Sequence, residues 1–123
     1  MQIVIVPANA ALALQVTAGQ NNAFSYVVAR WDQSARRYTQ LLTGLAAIND
    51  PNPDVVAIGS GTANQGRIFL CRGYIFPYDQ NSVGPFAVDF AVMANGARVG
   101  GVTATVNGPL TLNLILQITA GGA

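Results

Sequence analysis

Apolar and polar positions alternate every two residues along most of this chain, the period of a strand whose side chains point to two faces in turn. "MQIVIV" opens as a short strand that Pro7 stops, and "ALALQVTA" (Ala11 to Ala18) alternates small and large residues. "GQNN" is a turn and "AFSYVVARW" a third strand. The Pro-rich break "NDPNPD" (Asn49 to Asp54) follows, then "DVVAIGSG", a strand running into a Gly-rich loop. "GRIFLCRGYIFPY" is the longest aromatic-rich strand, and "DQNSVG" is a further loop.

The last part is patterned most plainly. "PFAVDFAVMA", "ARVGGVTATV" and "PLTLNLILQITA" are separated by Asn95-Gly96 and Asn107-Gly108. Asn-Gly between alternating segments marks a type I′ hairpin, because both central residues of that turn need positive φ. Two such turns, 12 residues apart, predict a three-stranded antiparallel meander. Leu110, Leu112, Leu114, Leu116 and Ile118 share one face of its last strand and are assigned to the core. Gly100-Gly101 in its middle strand predict a bulge or the close approach of another backbone.

Gln33 to Ile48 admits two readings. Ala35, Tyr38, Leu41, Leu42, Leu45 and Ile48 share a helical face behind Asp32 as N-cap. Thr39, Thr43 and Gly44 are poor residues for a helix interior. The preferred reading is a hairpin that pairs "YVVARW" with "RYTQLL" through "DQSA". The whole pattern predicts one all-β domain over residues 1–123, an antiparallel β-sandwich or jelly roll of eight or nine strands. Residues 1–9 are expected to form an N-terminal arm, detached by Pro7, that could add a strand to a neighbour's sheet edge.

Charge sharpens this picture. Only 9% of residues are charged, the formal net charge is +1, and there is no Lys, Glu or His. A surface so poor in charge suits contact with other subunits, since the cores of protein interfaces are depleted in charge. A homo-oligomer is therefore expected.

The same inventory narrows the chemistry. Without His, a Ser–His or Cys–His nucleophile is excluded. The carboxylates Asp32, Asp50, Asp54, Asp79 and Asp89 are scattered, and Asp50 and Asp54 read as turn formers. Neither an enzyme nor a cofactor is expected. Cys71, the single cysteine, reads as a buried strand residue and permits no intramolecular disulfide and no Cys-based zinc site. Asn49, Asp50, Asn52 and Asp54 are oxygen donors suited to Ca²⁺, yet no Glu completes an EF-hand pattern, so a stiff turn is preferred and no metal is assigned. "GSGTANQGR" lacks the Walker spacing and its Lys, and reads as a flexible connection. No basic leader precedes the first apolar run, so a cleaved signal peptide is not expected. No stretch reaches the roughly 20 apolar residues of a membrane helix.

Contact chemistry concentrates in "RWDQSARRY", which carries three of the six arginines and the only Trp. Arg30, Trp31, Asp32, Arg36, Arg37 and Tyr38 are its candidate residues. A net charge of +1 does not supply the field that nucleic acid requires, so that partner is disfavoured. Aromatics and Arg are what protein interfaces enrich. Tyr74, Tyr78, Asp79 and Asn81 add the ingredients of a carbohydrate platform. The function expected is a non-enzymatic structural protein that self-assembles. The settings favoured are a virion (decoration, capsid or tail protein) or an extracellular filament, after synthesis in the cytoplasm. A lectin-like carbohydrate-binding module is the alternative.

Overall fold

The computed structural model describes residues 1–48 and 54–121. It contains nine strands: β1 (Gln2–Pro7), β2 (Ala11–Ala18), β3 (Asn22–Asp32), β4 (Arg37–Ala46), β5 (Val55–Ser60), β6 (Ile68–Pro77), β7 (Phe86–Ala94), β8 (Ala97–Val106) and β9 (Leu110–Gly121). A single 3₁₀ turn, Thr62–Asn64, precedes β6. The strands form an all-β sandwich of two sheets, ordered β1-β9-β6-β3-β4 and β5-β2-β7-β8.

Period-two patterning becomes burial directly. Leu12, Leu14 and Val16 of β2 face Phe24, Tyr26 and Val28 of β3 across the core, with Phe69, Phe90, Leu116 and Ile118 filling it. Leu114, Leu116 and Ile118 are buried as expected, but Leu110 is 40% exposed because it begins β9 at the rim of the sandwich.

Consecutive strands stay in one sheet only at β3–β4 and β7–β8. The first pair is the expected hairpin: Trp31 opposes Tyr38 and Asp32 opposes Arg37, with residues 33–36 as the turn and Arg36 at a φ of 53°. Extended pairing sends Leu42 and Ala46 inward with Val28 and Phe24, so the 3.6-residue face of this segment is not used. The second pair turns at Asn95 (φ 51°) and Gly96 (φ 85°), both positive as a type I′ turn demands.

The three-stranded meander is corrected at its second turn. β8 pairs with β7 at the edge of the smaller sheet, whereas β9 enters the larger sheet between β1 and β6. Gly108 lacks the positive φ of Gly96. The reason stands next to it in the chain. Pro109 disfavours the ψ near zero that the second turn residue of a type I′ hairpin requires, so Asn107-Gly108 carries the chain across to the other sheet.

The sandwich is also not wholly antiparallel. β1 runs parallel to β9 from Gln2↔Leu116 to Pro7↔Gly121, while every other pair described is antiparallel. Pro7 does not detach the segment. Val4 and Val6 are core residues, 2% and 1% exposed, and Pro7 ends an edge strand, where its missing N–H costs nothing. Both expectations for Gly100-Gly101 are met. The register shifts beside Gly100, and a Cβ there would stand 2.8 Å from Val4 Cγ1. A Cβ on Gly101 would collide with the Phe90 carbonyl oxygen. Gly100 thus lets β1 close against β8 at the edge between the two sheets, and Gly101 lets β8 lie close on β7.

Asn49, Asp50, Asn52 and the prolines between them lie outside the described residues. Asp54 is described, and its carboxylate accepts the Tyr26 hydroxyl across the core. Among the described residues no helix is long and apolar enough to cross a membrane.

Candidate functional site

Antiparallel pairing of β3 with β6, and of β6 with β9, gathers Arg30 to Asp32, Arg67 with Ile68, and Gln117 at one end of the larger sheet. A cleft of about 610 Å³ opens there, between the 33–36 turn and the loop that ends at Arg67. Arg30, Trp31, Asp32, Gln33, Ser34, Gly66, Arg67, Ile68 and Gln117 line it.

Each wall is held in place. On one side the Trp31 indole N–H donates to Gln33 Oε1 at 2.8 Å, and the Tyr38 ring packs edge-on against Trp31 with centroids 5.0 Å apart. The Ser34 hydroxyl donates to Asp32 at 2.9 Å. That bond holds the Asp32 carboxyl below its ordinary range, helped by the backbone amides of Ala35 and Ser34 and by the charge of Arg30.

On the other side the Gly-rich segment is not a flexible connection. Every amide from Gly61 to Arg67 donates within the protein, to Ala10, Ala8, Ser60, Gly61, Thr62, Ile118 and Asn64 in turn. Buried Asn64 donates to the carbonyls of Ile58 and Ser60, and Gln117 Nε2 donates to the Gly66 carbonyl at 3.0 Å. Gln65 accepts the Ala120 amide at 2.6 Å. With its amides committed, this loop has none left to cradle a phosphate, the feature on which phosphate loops depend.

Charge at this end is unbalanced. Arg98–Asp89, at 2.9 Å, is the one ion pair among the described residues, so neither Arg30 nor Arg67 has a carboxylate within ion-pair distance there. Arg36 and Arg37 stand on the adjoining turn. Arg30, Trp31 and Asp32 therefore meet in one cleft, while Arg36, Arg37 and Tyr38 flank it.

Tyr78, Asp79 and Asn81 belong to the opposite end, where Asn22 pairs with Pro77 and the Tyr78 amide donates to Asn21. The length of β6 separates the two groups, roughly 30 Å at the rise of a strand. Asp79 there is engaged by its own loop, accepting the Asn81 amide at 2.8 Å and the Ser82 hydroxyl at 3.2 Å. Tyr74 lies between the ends, 48% exposed and stacked with Phe76 at 6.0 Å.

Tyr74 belongs to a second feature, the outer face of the larger sheet. Ladder pairs place Ile3 beside Gln117, Ile115 beside Leu70, Leu70 beside Ala29, and Val27 beside Thr43, all on the side away from the core. Ile5 is 68% exposed and Ile3 56%, and Val27, Leu45 and Tyr38 continue the apolar surface to the far edge. Arg72, flanked by Val27 and Asn113, is the one charge in its middle.

Cys71 is fully buried, and burial pushes its thiol up to about 12, which leaves no thiolate for nucleophilic work near neutrality. Among the described residues no cluster of Cys, Asp or Glu could hold a metal.

Sequence patterning left open whether Arg67 converges with Arg30 and did not single out Gln117. Their separation along the chain hides the shared cleft, and only the register of β6 against its two neighbours reveals it. It also missed Asn22 and Asn64, polar residues buried for their hydrogen bonds.

No family model and no curated protein matches this chain. A crystal structure of a DUF4425 family protein from Bacteroides ovatus is similar over 87% of this chain and 94% of that one, at 9% identity and a TM-score of 0.39. That likeness is too distant to bear on function.

Proposed function

We propose that this chain is a non-enzymatic structural subunit that associates with copies of itself through the outer face of its five-stranded sheet. The observation that carries this reading is the nearly uncharged outer face, on which Ile3 and Ile5 of β1, Ile115, Leu70, Tyr74, Val27 and Leu45 of β4 stand among Thr, Asn and Gln. Monomers rarely leave so large an apolar patch to solvent. Strand spacing and rise give the face roughly 700 Å², close to the roughly 800 Å² per partner of an ordinary interface. A second copy supplies the same apolar surface, so a two-fold, self-complementary contact is the simplest occupant.

Supporting the non-enzymatic part are the absence of His, the inert thiol of Cys71, and carboxylates that serve turns, a tyrosine and an arginine. Virion shells or tails and extracellular filaments, which use one small subunit many times, are the proposed settings.

Sedimentation velocity tests the reading directly. The wild-type chain is expected to form dimers or larger species at micromolar concentration. The double variant V27R/Y74R should sediment as a monomer with an unchanged circular dichroism spectrum. A wild-type chain that stays monomeric at hundreds of micromolar would overturn the proposal.

A further inference from the structure

We infer that the cleft between the 33–36 turn and the 60–67 loop binds a saccharide that carries a carboxylate, such as a uronic or sialic acid. Self-association through the outer sheet face is a separate matter, and the cleft does not depend on it.

The anionic part follows from Arg30 and Arg67. Both residues line the cleft, and neither has an ion-pair partner among the described residues. A guanidinium offers paired donors that match the two oxygens of a carboxylate. Asp32 sets a limit on how much negative charge can enter. It stands in the same cleft, and Ser34 and Arg30 favour its ionised form. One carboxylate placed beside the arginines is tolerated, whereas a run of phosphates passing Asp32 is repelled. The engaged amides of Gly61 to Arg67 remove the other usual holder of phosphate.

The saccharide part follows from Trp31 and its neighbours. Trp31 lines the cleft, and Tyr38, which does not, packs edge-on against its ring. Sugar rings present C–H faces that pack on an indole, and hydroxyls that need both donors and acceptors. Asp32 accepts, while Ser34, Gln33 and Gln117 offer side-chain groups of both kinds. A run of acidic residues would use the arginines but present no ring face to pack on Trp31. The walls are also built before a ligand arrives: Gln33 fixes Trp31, Gln117 fixes Gly66, and the loop amides fix the rest. A prebuilt site spares the ordering cost that weakens binding to mobile loops.

Trp31 is the only tryptophan, so its emission reports on this end of the sheet, and the titration is run at one fixed protein concentration. The wild-type chain is titrated with tri-galacturonate and, separately, with sialyl-lactose. The expected result is a saturable change in Trp31 emission with at least one of them. Methyl esterification of the acid that binds should weaken it about tenfold or more, the effect of losing a charge-assisted hydrogen bond. Arg67→Gln and Arg30→Gln should each cost about tenfold, and Arg72→Gln, on the outer sheet face, less than about twofold. Arg67 is exposed and without an ion pair, so its variant retains the fold. No response to either acid overturns the inference, as does equal binding of the methyl ester. Tighter binding of hexa-aspartate or oligothymidylate also overturns it, replacing the saccharide with an acidic peptide or a nucleic acid.

Discussion

The side chain of Asn22 exchanges two hydrogen bonds with the backbone of Ala87: its amide donates to the Ala87 carbonyl at 2.9 Å and its carbonyl accepts the Ala87 amide at 2.9 Å. Asn22 begins β3 in the larger sheet and Ala87 lies on β7 in the smaller one, so a polar side chain ties the sheets where no ladder can. Asn22 is fully buried. Replacing it with Leu or Ala strands the Ala87 amide, worth about 1–3 kcal/mol when left without a partner, while the Ala87 carbonyl keeps the Gly19 amide as donor. Urea unfolding should show Asn22→Ala destabilised by about 1–3 kcal/mol. Asn81→Ala, in an exposed turn, should stay within about 0.5 kcal/mol of wild type.

The two Asn-Gly pairs should behave oppositely despite their identical sequence. Gly96 holds a φ of 85°, which an L side chain adopts only under strain, whereas Gly108 has no positive φ and open space around it. Gly96→Ala is expected to cost about 1–2 kcal/mol, and Gly108→Ala less than about 0.5 kcal/mol. Equal thermal shifts for the two variants would contradict the turn assignment.

Gly100 and Gly101 should differ in whether they can be rescued. An added methyl at Gly100 meets a Val4 methyl, and one at Gly101 meets the Phe90 carbonyl. Both substitutions to Ala should destabilise, by about 1–3 kcal/mol for overpacking. Adding Val4→Ala should recover part of the Gly100→Ala loss and none of the Gly101→Ala loss, because backbone cannot be trimmed. A double-mutant cycle measures that coupling, and finding none would show that β1 does not close on β8.

Stability should fall on the alkaline side through Cys71. Burial pushes its thiol from an ordinary value of 9.0 up to about 12 in the folded chain, so folding favours the neutral form. A raised value contributes stability that is complete below pH 9.0 and lost as pH rises from there toward about 12. At about pH 10.5 the loss attributable to this group is ~2 kcal/mol. The stability gap between wild type and Cys71→Ala should therefore narrow from pH 7 to pH 10.5. A gap of constant size would show that the thiol is not held neutral.

Strand existence was legible because alternation is a local property. β2 from Ala11 to Ala18 and the hairpin through residues 33–36 are written in neighbouring residues, and so is the turn at Asn95-Gly96. Even the failure of the second Asn-Gly turn is local, since Pro109 follows it directly. Which strands pair is a different kind of fact. Nothing in "MQIVIV" names β9 as its partner, and it also closes on β8, where Gly100 leaves room for Val4.

The candidate cleft divides in the same way. Trp31, Arg30 and Asp32 stood out in the sequence as a cluster of reactive types. Arg67 and Gln117 joined them only because β6 runs antiparallel to both β3 and β9, bringing ends of strands together that are 36 and 86 residues beyond Trp31 in the chain. By itself the sequence determined the period of each strand, the tight turns at residues 33–36 and Asn95-Gly96, and the scarcity of charge, all set by short-range sterics and composition. Sheet order, the closing of β1 on β8, and the meeting of Arg30 with Arg67 were decided by tertiary structure. Those depend on which buried faces fit together across the core, and that fit is a property of the packed whole.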